Sequence, residues 1–209
     1  MPKVLTDADI GAFRDRLCEV AEKQFAEHGP DGVTIRELAD AMGVSPMTPY
    51  RYFKDKDAIL AAVRARAFNR FAEAMEQAGQ EAHKIMREEG PAGAHPSRAP
   101  GGAYIDFALA NPAAYKMMFD VYQPSYVDYP ELVFAMERAR ATMGYGLRAM
   151  ASVGAFKGDV DLAAHAFWSA MHGAVMLEFA GLLRAPIDAR SLLKPTLEAL
   201  AEKFMSMKG

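Results

Sequence analysis

A single cysteine among 209 residues leaves no room for an intramolecular disulfide, and Cys18 therefore points to a reducing compartment. Long hydrophobic runs are missing as well. The most apolar stretch, around Phe167 to Leu183, is interrupted by His172 and Glu178 and makes a poor membrane span. The opening segment, MPKVLTDADIGAFRDRL, has no apolar run of the signal-peptide kind, so a cytoplasmic protein with no membrane partner is expected. Positive charge is not in excess: 24 Lys and Arg face 27 Asp and Glu, for a formal net charge of −3. Residues 1–56 are no more basic, with eight Lys and Arg against ten Asp and Glu. Any claim on nucleic acid must then rest on local geometry and not on bulk charge. Catalytic signatures are also wanting. No Glu stands three residues before any of the five histidines, as a di-iron bundle would require. A Gly-rich phosphate loop, a Cys-based metal pattern and a nucleophile elbow are all absent. We expect no enzyme, no catalytic residue, no metal site and no cofactor.

What the chain does have is apolar residues at helical spacing almost throughout, and no alternating strand pattern. Ile10, Phe13, Leu17, Val20, Ala21 and Phe25 share one face of a first helix, which HGPDG should end near His28. Thr34 and Glu37 have the spacing of a capping box ahead of a second helix with Ile35, Leu38, Ala39 and Met42 inward. Gly43 ends it, and Ser45 and Pro46 are suited to open a third. Asp55 is placed to cap a long helix reaching the late 80s. A Gly/Pro-rich segment, Gly90 to Gly102, reads as a loop. Asn111 and Pro112 begin a short helix through Phe119. YQPSYVDYP reads as a loop, and longer helices are expected over about 130–153, 159–183 and 191–207. The fold class is all-α, with about nine helices.

Helix, tight turn and helix in succession over Thr34 to Leu60 form a helix-turn-helix pattern. Wound at about 100° per residue, Pro49 and Phe53 fall together and can pack inward, while Met47 and Arg51 point the other way. Thr48 and Tyr52 flank that face on one side, Tyr50 and Lys54 on the other. An arginine that can fork onto a guanine edge, methyl-bearing Met and Thr side chains, and phenols within reach of phosphates together make a reading face for a major groove.

AEKQFAEHGPDGVTIRELADAMGVSPMTPYRYFKDKDAIL, within residues 12–60, resembles the DNA-binding domain of the TetR family of bacterial transcriptional regulators. GVS…YRYFKDKDAIL is its most specific part. FWSAMHGAVMLEFAG resembles the branch of that family whose C-terminal domain is marked by Trp-His-Gly, here Trp168, His172 and Gly173. The resemblance implies a three-helix helix-turn-helix domain over 1–56 and a larger helical effector-binding and dimerisation domain over 57–209. It implies a homodimeric repressor that leaves operator DNA when a small molecule binds. The alternatives are an activator, or a small-molecule sensor or carrier without specific DNA binding. Carried over residue by residue, Thr34 caps the second helix at the phosphate backbone and Arg36 reaches the groove. Met47, Thr48 and Arg51 face bases, with Ser45 and Lys54 beside them, while Tyr50, Tyr52 and Lys56 hold phosphates. Pro49 departs from the family pattern, which more often has an aliphatic residue there, and its missing N–H removes an early helical hydrogen bond.

The second domain concentrates Met and aromatic side chains, and the resemblance implies a cavity among them for a hydrophobic or aromatic effector. Phe107, Tyr115, Met118, Tyr122, Phe134, Met143, Trp168 and His172 are the candidate lining, although each also suits a plain helical core. For the dimer, Ala166, Ala170, Gly173 and Leu177 form a narrow stripe on one helix, and Leu197, Leu200 and Phe204 face it from the last. The resemblance implies that these two helices from each subunit build a two-fold four-helix interface, although the same residues also suit packing within one subunit.

Overall fold

A computed structural model describes residues 6–89, 100–119, 126–152, 154 and 156–206, and the described residues hold nine α-helices and no strand. The helices are α1 (Asp7–His28), α2 (Ile35–Ala41), α3 (Lys56–Glu89), α4 (Pro100–Ala110), α5 (Pro112–Phe119), α6 (Pro130–Met143), α7 (Tyr145–Ser152), α8 (Val160–Phe179) and α9 (Ala189–Ser206). No helix among the described residues is long and apolar enough to cross a membrane.

The chain divides into two compact units. The first comprises the residues up to Asn69 together with Asn111–Met136, and the second comprises Arg70–Ala110 and Glu137–Gly209. The boundary expected between residues 56 and 57 therefore falls inside the first unit. Residue periodicity gives no sign that α5 belongs with the N-terminal helices, because an apolar face does not name the surface that covers it.

In the first unit α1 opens on a capping box in which the Thr6 hydroxyl accepts from Asp9 N at 3.1 Å and Thr6 N donates to the Asp9 carboxylate at 3.0 Å. The buried face of α1 is Phe13, Leu17, Cys18, Ala21 and Phe25. These side chains join Val33, Leu38, Phe53, Ile59, Leu60, Val63 and Met117 in one cluster. Each large member contributes roughly 1.5–3 kcal/mol by leaving water. Burial pushes the Cys18 thiol up to about 11, which leaves it a small core residue and not a nucleophile. Arg64, only 1% exposed, donates its Nε to the Met117 carbonyl at 3.1 Å and an Nη to the Met118 carbonyl at 3.4 Å. Those carbonyls lie in the last turn of α5, where acceptors lack intrahelical partners and a cation is favoured.

In the second unit the Phe71 ring meets Tyr104 and Phe107 edge-on, at 5.3 and 5.4 Å between centroids. Tyr104 in turn accepts from Trp168 Nε1 at 3.1 Å, tying α4 to α8. Helix α4 also comes close to α9: a Cβ on Gly101 would stand 2.9 Å from Leu197 Cδ1 and 3.3 Å from Leu193 Cδ1. Arg138 forks onto Glu76 with bonds of 2.9 and 2.6 Å, and this holds the Glu76 carboxyl below its usual range. The helix expected across 130–153 is two helices, α6 and α7, parted at Gly144. Arg148 folds back there, its guanidinium occupying the space a side chain at 144 would need and donating to the Ala141 carbonyl.

His172, half-buried on α8, carries an imidazole that burial pushes below its ordinary value of 6.5. The unfolded chain then takes up this proton more readily than the folded one. The corresponding stability is fully present above about pH 6.5 and is lost as pH falls through the depressed folded value. Urea midpoints measured from pH 7.5 down to 5.5 should fall for the native chain and fall less for His172→Gln.

Candidate nucleic-acid interface

Thr34 starts α2 with the capping box its spacing announced: its hydroxyl accepts from Glu37 N at 3.2 Å, and Thr34 N donates to Glu37 Oε2 at 2.7 Å. The Thr34 bonds hold the Glu37 carboxyl below its usual range. Ile35, Leu38 and Ala39 go inward, leaving Arg36 exposed on the outer face. After Met42 the chain reverses at Gly43, whose φ of +67° lies in the left-handed region that a side chain disfavours.

The α-helix expected from Ser45 onward is replaced by a shorter element. Thr48 N donates to the Ser45 carbonyl at 2.8 Å, and Pro49–Arg51 form a single 3-10 turn. Pro49 is the physical reason. It has no N–H to donate back to the Ser45 carbonyl, which accepts from Thr48 N instead, while Thr48 itself keeps helical dihedrals of φ −64° and ψ −46°. Tyr52 N and Phe53 N both donate to the Pro49 carbonyl, at 2.9 and 3.0 Å, which closes the turn. Pro49 and Phe53 are buried, as their spacing predicts.

The outward residues are Met47, 68% exposed, Tyr50, 51% exposed, and Arg51, Ser45 and Lys54, also exposed, with Thr48 half-buried beside them. Tyr52, expected to flank this face, and Lys56, expected to hold a phosphate, are half-buried and make contacts within the first unit. The Tyr52 ring stacks on Phe13 with centroids 4.1 Å apart and planes at 20°. Lys56 donates its Nζ to the Pro30 carbonyl at 2.7 Å, bracing the α1–α2 turn against the start of α3. Asp55 caps that helix, accepting from Ala58 N at 2.8 Å. Arg14, absent from the residues that spacing singled out, reaches the same turn from α1 and donates to the Tyr52 carbonyl at 3.1 Å. The two residues stand 38 apart in sequence, too far for any local signal.

Of the eight candidates for an effector cavity, those described are divided between the two units. Tyr115 and Met118 are buried in the first unit on α5, and Phe134, also in that unit, is 71% exposed. Tyr122 lies outside the described residues. In the second unit Phe107 is buried against Phe71, and His172 is half-buried near Trp168. Of the eight, Met143 and Trp168 line a common cleft of ≈ 450 Å³ between α6, α7 and α8. Glu137, Arg140, Arg148 and His165 share it. Apolar spacing marks core residues and cleft residues alike.

Of the candidate dimer residues, Gly173 faces open space, with nothing within 4 Å of where a Cβ would stand. Leu177 is 43% exposed, and Ala166, Leu200 and Phe204 are half-buried. Ala170 and Leu197 instead line a crevice between α4, α8 and α9 within the unit itself, because Leu197 packs on Gly101. Both remain half-buried, as Ala166, Leu200 and Phe204 are.

A capped helix, a left-handed glycine and a short turn that buries two side chains and exposes its polar ones define a helix-turn-helix protein with a helical second unit. Residues 17–63 match the family described as bacterial regulatory proteins, tetR family, and residues 97–200 match the tetracyclin repressor-like C-terminal domain. The chain belongs to the TetR family. It is 38% identical over 72 residues to an HTH-type transcriptional repressor of Mycobacterium tuberculosis, a match covering 34% of this chain and 38% of that protein. It is 30% identical over 95 residues to the HTH-type transcriptional repressor AcnR of Corynebacterium diphtheriae, covering 46% of this chain and 47% of AcnR. The matched segments thus span less than half of these curated relatives. Among solved structures, a Rhodococcus protein of unknown function shares the fold with a TM-score of 0.76 at 23% identity, covering 99% of this chain and 100% of that one. PfmR of Thermus thermophilus, a TetR family transcriptional regulator, does so at 0.65 and 22%, covering 90% and 98%.

Proposed function

We propose that this protein is a sequence-specific DNA-binding transcriptional repressor that acts as a homodimer on an inverted-repeat operator. The observation that carries the reading is the recognition turn: Met47, Tyr50 and Arg51 project outward while Pro49 and Phe53 anchor it in the core. Met47 and Tyr50 present apolar and aromatic surface beside the Arg51 guanidinium, and major-groove contact gives that surface a partner. Met47 and Arg51 read bases, Tyr50 and Lys54 reach phosphates, and Thr34 and Arg36 hold the adjacent backbone at the start of α2. The names of the matched relatives support repression.

Selection from randomised duplexes at near-physiological salt tests this reading directly. An enriched inverted repeat with half-sites spaced by whole helical turns is the expected outcome. Sequence-independent binding alone, or none, would move a small-molecule sensor ahead.

The effector site in this reading is the cleft between α6, α7 and α8. Trp168 and Met143 offer contact to an aromatic or hydrophobic body, and Arg140 and Arg148 border it with donors. A panel of such compounds should raise the melting temperature, and Trp168→Ala should remove the rise. The dimer in this reading forms through the exposed side of α8, at Gly173 and Leu177, with Leu200 and Phe204 of α9. Gly173→Phe puts a large ring where two helices approach closely. By sedimentation it should yield monomers with the native helical content, and an unchanged dimer would refute the seam.

A further inference from the structure

Helix α1 holds the recognition turn through two consecutive side chains. Phe13 supplies the stack on Tyr52 described above. Arg14 makes three contacts: an Nη1 bond to the Tyr52 carbonyl at 3.1 Å, a guanidinium carbon 4.4 Å from the centre of the Phe53 ring, and an Nη2 placed 3.7 Å from Glu131. The first two grip the C-terminal end of the turn, where carbonyls favour a cation and a ring face attracts one. The third is a weak, exposed pair, the Glu131 side chain being 80% exposed.

Open space, and not packed side chains, borders much of this grip. Two open clefts that share Ala62, Pro130 and Glu131 lie against Arg14, one of ≈ 500 Å³ reaching Ala65 and Phe134, the other of ≈ 380 Å³ reaching Lys54, Ala58 and Tyr129. A three-residue 3-10 turn has few bonds of its own to fix its direction, since such turns have poorer hydrogen-bond geometry than an α-helix.

We infer that Arg14 is a positioning residue for DNA recognition: it sets the direction of the turn that carries Met47, Tyr50 and Arg51, and touches no DNA itself. The geometric part stands on the contacts above, and the functional part rests on the DNA-binding reading. Arg14 supports discrimination between sequences and not general affinity for phosphate. Its planar fork lets it bond the carbonyl while lying over the Phe53 ring, a pairing that a lysine ammonium reproduces only in part.

The test compares the full-length chain with Arg14→Gln, Arg14→Lys and Glu131→Gln. Dissociation constants are measured for the enriched operator and for a scrambled duplex over a range of salt, alongside amide hydrogen exchange. Arg14→Gln should weaken operator binding about tenfold, the loss typical of one charge-assisted hydrogen bond. Its scrambled-duplex binding and its salt slope should stay at the native values. Protection of the Tyr52 and Phe53 amides should fall while that of the α1 core amides holds. Arg14→Lys should recover part of both losses, and Glu131→Gln should resemble the native chain. Unchanged discrimination with unchanged protection overturns the inference. So does a salt slope lowered by about 0.9, which would make Arg14 a phosphate contact. If the native chain itself fails to discriminate sequences, the DNA-binding reading fails. Exchange at Tyr52 and Phe53 then decides the positioning role alone, and native protection there overturns it. Should Arg14→Gln not fold, Arg14→Lys is read by the same criteria.

Discussion

Arg51→Ala is expected to lower affinity for the selected operator about tenfold to a hundredfold, the discrimination carried by one good bidentate base contact. The side chain is exposed at the end of the recognition turn, so its removal should leave the thermal midpoint nearly unchanged. The comparison that matters is between sequences. A base contact predicts loss on the operator, relaxed preference at one position of each half-site, and little change on a scrambled duplex. A phosphate contact predicts equal loss on both and a salt slope smaller by about 0.9. Binding measured by fluorescence anisotropy at three salt concentrations separates the two. Arg51 and Arg14 thus make different predictions although they flank the same turn. The first should change which base is preferred, and the second how sharply any base is preferred.

The second large effect concerns stability. Arg64→Ala should destabilise the chain by about 3–5 kcal/mol, since it leaves a cavity and strips donors from buried carbonyls. Arg64 is 1% exposed, and its guanidinium serves Met117 and Met118 at the end of α5. The urea midpoint should fall with little change in slope, because the surface exposed on unfolding is nearly the same. Arg64→Met provides the control. It restores most of the volume but none of the donors, so about 1–3 kcal/mol of the loss should remain. A neutral Arg64→Ala would mean that water or a neighbouring group takes over the two carbonyls at no cost.

Local chemistry was the part of this molecule that the sequence made easiest to read. The Thr34–Glu37 box, the Gly43 reversal, the Asp55 cap and the break at Asn111–Pro112 each depend on a few adjacent residues, and each stands where its spacing put it. The inward pair Pro49 and Phe53 also followed from periodicity, even though the element that presents them is a 3-10 turn. What escaped was anything decided across long stretches of chain. Tyr52 and Lys56 looked like outward polar groups until Phe13 and the Pro30 carbonyl, on other elements, claimed them. Tyr115 and Phe107 carried the same aromatic signal, yet one lies in the first unit and the other in the second. Gly144 gave no warning of ending α6, because an isolated glycine in a helical pattern is usually tolerated and Arg148 decides the matter from four residues on.

The first unit is assembled from two separate stretches of chain, with Met117 of α5 in the same cluster as Phe25, Leu38 and Phe53. Hybrid regulators are commonly imagined as a reading head from one protein grafted onto the sensor of another. Here such a graft cut at residue 56 would carry the recognition turn but leave behind Ile59, Leu60, Val63, Arg64 and α5. The transplanted head would meet a foreign surface where its own interior used to be. A graft that exchanges residues up to Asn69 together with Asn111–Met136 keeps the members of that compact unit together.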